Sequence, residues 1–189
     1  MNPRVRSTIV IAWAAAFVLG CAWLVFQRLG AEMLTGNKQM LDSSLVKLES
    51  ARQPQERVEA AKLIGTHSGE LVSSNAVRAM GSALSKDPDP AVRAAVAQSL
   101  GELAARRNSG TIAPGSQEPQ MIEALTAAFD EETDPSVRRS ILAAAAAFNE
   151  PAAAALLNKG LADPDPSVRE TAQKAKLQRE RRLFTAVTG

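Results

Sequence analysis

The chain has 189 residues, of which 46% are hydrophobic, 4% aromatic and 22% charged, with a formal net charge of +2. One cysteine excludes an internal disulfide, and one cysteine with one histidine excludes the Cys/His ligand sets of structural zinc sites. The few aromatic residues argue against a base-stacking surface, and beyond Arg28 the 19 basic residues are balanced by 20 acidic ones, so charge gives no support for a nucleic-acid partner.

The first predicted element is an apolar segment, Thr8–Phe26, of 19 residues without a charge. As a helix rising ~1.5 Å per residue it would be roughly 28 Å long, close to the ~30 Å hydrocarbon thickness of a bilayer. Arg4 and Arg6 precede the segment and Arg28 follows it, a bias that places the N-terminus in the cytoplasm. Residues 1–30 are therefore predicted to be a single-pass anchor of the inner (cytoplasmic) membrane, with the body on the periplasmic or extracytoplasmic side.

Two alternatives to an anchor are a cleaved signal peptide and a lipoprotein signal, since Val18–Cys21 loosely fits a lipobox. Both expect the apolar region to end near the cleavage site, whereas here it continues to Phe26. Within the segment, Ala12, Ala16 and Gly20 form a stripe of small residues that would let another membrane helix approach closely. Chance is the alternative explanation of this stripe, because the segment is rich in alanine.

Residues 31–52 are predicted to link the anchor to the body. Leu45 and Leu48, with Met40 or Leu41 before them, stand at helical spacing. This segment is predicted to form a short helix that caps the first repeat and shields its exposed end.

Three segments of the body share the motif Asp-Pro-x-Val-Arg, and a weaker fourth copy keeps the spacing from proline to arginine. The aspartate can cap a helix by accepting a backbone N–H, the proline suits the first helical position, and the valine begins an apolar stripe at helical spacing. Apolar stripes also lie between the copies, so each repeat is predicted to be a helix, a turn and a helix. The copies place prolines at Pro54, Pro90, Pro135 and Pro166, and arginines at Arg57, Arg93, Arg138 and Arg169.

The stretches DPDPAVRAAVAQSLGEL, from Asp87, and DPDPSVRETA, from Asp163, resemble HEAT-type repeats in the short bacterial form that also occurs in phycobilin-lyase-like proteins. The resemblance covers residues 53–180 and implies an all-α fold, a short right-handed solenoid of stacked antiparallel helix pairs. We assign this repeat domain to residues 53–184 and a tail to residues 185–189. The resemblance also implies a ladder of aspartate–arginine pairs between neighbouring repeats, weakened where Gln53 replaces the aspartate. By match, these pairs are Asp89/Arg93, Asp134/Arg138 and Asp165/Arg169.

The end of the chain is polar and basic. From Arg169 to Arg182 it holds six basic and two acidic residues. Such a segment can contact a partner or an anionic lipid surface, and the alternative is a solvated helix that gives the last repeat a polar outer face. The candidate contact residues are Lys174, Lys176, Arg179, Arg181 and Arg182.

The sequence lacks the motifs of phosphate-binding loops, dinucleotide-binding folds, metalloproteases and serine hydrolases. We therefore predict no catalytic, cofactor-binding or metal-binding residues and no small-molecule substrate. The predicted function is that of a non-catalytic, membrane-anchored interaction scaffold, an accessory or assembly subunit of a membrane protein complex that it contacts through the membrane helix and the repeat surface.

Two other functions remain open on the sequence alone. One is a lyase-like HEAT-repeat enzyme, or a chaperone acting on a cofactor-bearing partner, because related repeats occur in such proteins. The other is binding of lipid or nucleic acid through the basic C-terminal segment, which would show a steep salt dependence.

Overall fold

The computed structural model describes residues 37–67, 73–108 and 117–188. The chain divides into two units, Met1–Gln39 and Met40–Gly189, and the second unit carries the fold. The predicted membrane anchor, with its stripe of Ala12, Ala16 and Gly20, lies outside the described residues. Among those that are described, no helix combines the length and the apolar character needed to cross a bilayer.

All regular secondary structure in the described part of the chain is helical, which confirms the predicted all-α class. The first helix, α1, occupies residues 37–50 of the segment that was predicted to be a linker and cap. The other helices are α2 (Pro54–His67), α3 (Ser74–Lys86), α4 (Pro90–Asn108), α5 (Glu118–Glu131), α6 (Pro135–Ala145), α7 (Pro151–Gly160) and α8 (Pro166–Thr188). The last helix thus continues through most of the predicted tail.

The helices that begin at the repeated motif start as the sequence predicts. Asp89 accepts the backbone N–H of Ala91 at 2.8 Å, and Asp134 accepts that of Ser136 at 2.7 Å. Asp165 caps α8 in the same way. Each carboxylate therefore satisfies an N–H that has no partner inside its own helix, and each following proline occupies the position where no N–H is needed.

Replacing Asp134 with alanine is expected to lower the free energy of unfolding by about 1–2 kcal/mol through loss of this cap. The Ser136 hydroxyl and the backbone N–H groups that donate to the carboxylate hold the pKa of Asp134 below its usual range. Asp134→Asn is the matched control, because asparagine caps about as well as aspartate. Chemical denaturation followed by circular dichroism measures both variants, and an unchanged midpoint for Asp134→Ala would contradict the assigned role.

The even-numbered helices α2, α4, α6 and α8 lie side by side in one layer, and α3, α5 and α7 form a second layer against them. The strongest contacts between the layers join α3 to α4 and α7 to α8, so the motif begins the second helix of each pair. Leu41 and Leu48 of α1 are buried in the same core, and α1 therefore stands as the first helix of the first pair. This arrangement confirms the predicted stack of helix pairs.

Small residues let the even-numbered helices approach closely. A Cβ atom added at Gly65 of α2 would lie 2.8 Å from the Cβ of Ser99 in α4, and one at Gly101 of α4 would lie 2.8 Å from the Cα of Ala144 in α6. Both glycines stand eight residues after the motif arginine of their helix. The same contact is therefore repeated from one helix pair to the next.

Candidate functional site

An arginine ladder runs along one edge of the stack. Arg57 pairs with Asp87 at 2.7 and 2.9 Å, and Arg93 pairs with Glu132 at the same two distances. A third pair joins Arg138 to Asp163 at 3.0 and 3.1 Å. Each arginine thus reaches from one even-numbered helix to the acidic residue that precedes the next. Arg57 and Arg93 do so in the two-pronged geometry that guanidinium and carboxylate favour, whereas Arg138 makes one hydrogen bond to Asp163, from Nη2.

The predicted partners in this ladder are wrong. Asp89, Asp134 and Asp165 cap their own helices, and the ladder acid stands two residues earlier. The physical reason is geometric: the cap carboxylate must turn back onto the first turn of its helix, whereas the acid before it projects toward the preceding repeat. The residues that the sequence reasoning missed are Asp87, Glu132 and Asp163, and their signal was the doubled acidic position in DPDP and ETDP.

The expected weakening of the ladder at its first repeat is also wrong. Gln53 replaces only the capping aspartate, and the pair between Arg57 and Asp87 does not use that position. The carboxylate of Asp87 is 7% exposed and that of Glu132 is 5% exposed. The first rung is therefore built and shielded as well as the second.

Each rung is tied to the backbone on both sides. Nη1 of Arg93 donates to the carbonyl oxygen of Asp87 at 2.8 Å, and a carboxylate oxygen of Glu132 accepts the backbone N–H of Asp134 at 2.9 Å. Burial opposes the ionisation of Glu132, but the hydrogen bonds from Arg93 and from the backbone outweigh it and lower the pKa of this carboxyl group. Arg93 and Glu132 are therefore held in their charged forms and hydrogen-bonded to each other, which suits a structural contact between repeats.

A second set of arginines closes the C-terminal end of the stack. Arg179 donates to the backbone carbonyl oxygens of Phe148 at 3.0 Å and Asn149 at 2.8 Å. Arg182 donates to those of Ala146 at 2.9 Å and Phe148 at 3.1 Å. These two side chains satisfy carbonyl groups of the turn between α6 and α7, a role that the sequence did not predict.

A compact group of four charges lies beside this turn, with Glu118 and Glu150 at the starts of α5 and α7 and Arg107 and Arg182 on α4 and α8. Each of the four side chains has a buried polar atom without a hydrogen-bond partner. Burial, and the nearby charge of Glu150, raise the pKa of Glu118, and burial lowers that of Arg182. The two carboxylates and two guanidinium groups balance in charge, and they connect four helices.

The structure separates the basic residues that were predicted to meet a partner or lipid. Arg179 and Arg182 are engaged with the turn between α6 and α7, Lys174 pairs with Glu170 at 2.6 Å, and Lys176 donates to Asn158 at 3.0 Å. Arg181 is exposed. A role for this helix in lipid or partner contact therefore remains a prediction, with fewer side chains available to it than the sequence suggested.

The outer layer carries two shallow apolar grooves. One lies between α3 and α5 and is lined by Val77, Gly81 and Ala124. The other lies between α5 and α7 and is lined by Ile122 and Ala152, among others. Ala127 and Glu123 line both grooves, so the two form one continuous surface across three helices. Among the described residues no group of three His, Cys, Asp or Glu side chains could hold a metal ion.

Comparison with known protein families matches the chain to a family of repeats. The family described as HEAT repeats matches residues 43–114 and again residues 104–175, which together cover more than half of the chain. The first match begins inside α1, in agreement with the place of α1 in the first helix pair. No curated protein matches the chain.

Proposed function

The chain belongs to the HEAT-repeat family, and from that premise we propose that it is a non-catalytic protein-interaction scaffold. Its N-terminal segment anchors it in the inner membrane, and it serves as an accessory or assembly subunit of a membrane protein complex. The repeat domain stands on the periplasmic or extracytoplasmic side. The observation that carries this proposal is the apolar groove surface across α3, α5 and α7.

The groove surface has the properties of a protein-binding site. Several of its lining residues are small, as at Gly81, Ala124 and Ala127, although Gln120 and Glu123 also line it. At the small residues a helix or an extended segment of a partner can come close to the backbone of α3 and α5. Contiguous exposed apolar surface on a soluble domain marks interaction sites more often than it occurs by chance. The charged side chains of the ladder lie on another edge and are already paired.

A photo-crosslinking amino acid at residue 127 tests the groove in native membranes. Ala127 is exposed and borders both grooves, so we expect a covalent adduct with another polypeptide. The matched control is the same amino acid at Ala143, an exposed alanine on α6 in the other layer. An adduct from residue 143 and none from residue 127, or none from either, would contradict the proposed surface.

The anchoring role is supported by the uncharged length of Thr8–Phe26 and by the arginines that flank it. We expect the full chain to stay with membranes after alkaline carbonate washing, at its full mass. Release into the wash would contradict the anchor. A mature chain that begins after the apolar segment would instead indicate a signal peptide, and a lipid-modified N-terminus at Cys21 would indicate a lipoprotein.

A further inference from the structure

Arg169 makes the backbone contacts of a further rung, but no acid among the described residues completes it. As in the other repeats, Nη1 of Arg169 donates to backbone carbonyl oxygens five and six residues earlier, those of Pro164 and Asp163, both at 2.8 Å. Its remaining donors have no acidic partner among the described residues, and the side chain is exposed. The backbone therefore orients Arg169 as it orients Arg93, toward the place where a following repeat would stand.

The face of α8 that carries Arg169 is the face that α4 uses to bind α6. In α4 this face contains Arg93, Ala97, Gly101 and Ala104, at steps of four, four and three residues, which share one side of a helix. Ala97 and Ala104 are 0% exposed, and Gly101 between them faces Ala144 of α6. In α8 the same steps give Arg169, Gln173, Leu177 and Glu180, and all four residues are exposed.

The composition of this α8 face disfavours a second copy stacked on it as a further repeat. Leu177 stands at the register of Gly65 and Gly101, where the neighbouring helix leaves no room for a Cβ atom, although Ala146 holds this register in the third repeat. The head of a second stack would also fail to complete the ladder, because its first repeat has Ala51 at the position of the ladder acid. Head-to-tail stacking of copies would therefore lack both the close helix contact and the ladder pair, which favours a different geometry for a contact at this face.

We propose that α8 binds α8 of a second copy in an antiparallel, two-fold symmetric pair, with Arg169 of each copy joined to Glu180 of the other. The two residues lie on one face and are 11 positions apart, about 16 Å along the helix. When the two α8 helices run antiparallel and cross midway between these residues, Arg169 of each copy lies opposite Glu180 of the other. A two-fold contact of this kind uses the same patch twice and closes on itself.

Charge and apolar area both favour this occupant. Glu180 supplies the carboxylate that Arg169 lacks, and its side chain is exposed and unpaired among the described residues. Leu177, 48% exposed, lies between the two ion pairs and would be covered by Gln173 and Leu177 of the second copy. One helix from each copy makes an interface at the small end of the stable range, so we expect a dimer with a Kd in the micromolar range.

The test is a charge exchange in the full chain, purified in mild detergent, with the oligomeric state measured by light scattering across a concentration series. We expect the wild type to dimerise, and Arg169→Glu and Glu180→Arg each to weaken the dimer at least tenfold by placing like charges together. The double variant restores the opposite-charge pairs and should recover the dimer. Arg181→Glu is the matched control, because it makes the same charge change on a neighbouring face of α8.

Each other outcome overturns the proposal. A wild type that stays monomeric at all concentrations lacks the interface. A dimer that survives both single variants is held elsewhere, for example by the Ala12, Ala16 and Gly20 stripe. A double variant that remains monomeric shows that Arg169 and Glu180 do not meet. Both residues are exposed, and an unchanged circular dichroism spectrum shows that the variants are folded; this test is independent of the groove on α3, α5 and α7.

Discussion

Replacing Gly101 with leucine should lower the free energy of unfolding by about 3 kcal/mol, because added atoms in a packed helix contact force the helices apart. The Cβ atom alone would lie 2.8 Å from the Cα of Ala144. A backbone atom cannot move aside as the end of a side chain can, so α4 and α6 must separate. That separation also stretches the pair between Arg93 and the acid before α6.

Two comparisons isolate this close contact from the ordinary effect of a glycine in a helix. Gly101→Ala should still destabilise the protein, although alanine normally stabilises a helix interior by about 1 kcal/mol over glycine. Leu177 occupies the same register in α8 and is 48% exposed in the single chain, so Leu177→Ala should change stability little at protein concentrations below the Kd of the proposed dimer. Chemical denaturation of the three variants gives the order, and a stabilising Gly101→Ala would show that the helices do not meet at this glycine.

Replacing Arg93 with methionine should cost about 2–3 kcal/mol, because it leaves the buried carboxylate of Glu132 without its charged partner. Arg169→Met, measured at a protein concentration below the Kd of the proposed dimer, is the matched control: Arg169 makes the same kind of bonds to backbone carbonyl oxygens but has no acidic partner among the described residues. Its loss should cost less than about 1 kcal/mol. Equal costs for the two variants would mean that the ion pair adds nothing to the backbone contacts.

The contribution of this rung should depend on pH in a defined direction. The pKa of Glu132 is lowered in the folded state from its ordinary value of 4.5. A lowered carboxyl pKa stabilises the fold above the unfolded value, and the stabilisation is lost as the pH falls through the folded value. The difference in unfolding free energy between wild type and Arg93→Met should therefore be constant at neutral pH and shrink below pH 4.5.

The sequence was sufficient for the helix starts of the repeat because their signals are local. In the motif Asp-Pro-x-Val, the aspartate specifies the cap, the proline the first turn and the valine the buried face, all within one short stretch of chain. The structure bears this out at Asp134 and at Asp165, each of which accepts the N–H two residues later. The stacking of the helix pairs followed from the number of copies, since one pair alone leaves an apolar face exposed.

The acidic partners in the ladder could not be predicted from local sequence signals in the same way. They join residues 25 to 39 positions apart, and Asp87 and Asp89 carry the same side chain within two positions of each other. Only the direction in which each carboxylate points separates a cap from a rung. The roles of Arg179 and Arg182 were harder to predict, because their acceptors are backbone carbonyl oxygens, which every residue has and which the sequence therefore does not distinguish.

The central claim is that the arginine ladder holds neighbouring repeats together. In each rung, a motif arginine pairs with the acid that lies six residues before the motif arginine of the next repeat. A double-mutant cycle with Arg93→Met and Glu132→Met measures this coupling directly. We expect a coupling free energy of about 1.5 kcal/mol or more, and a value near zero when Asp134→Asn replaces the glutamate variant. Coupling below about 0.5 kcal/mol with Glu132, or stronger coupling with Asp134 than with Glu132, would contradict the ladder described above.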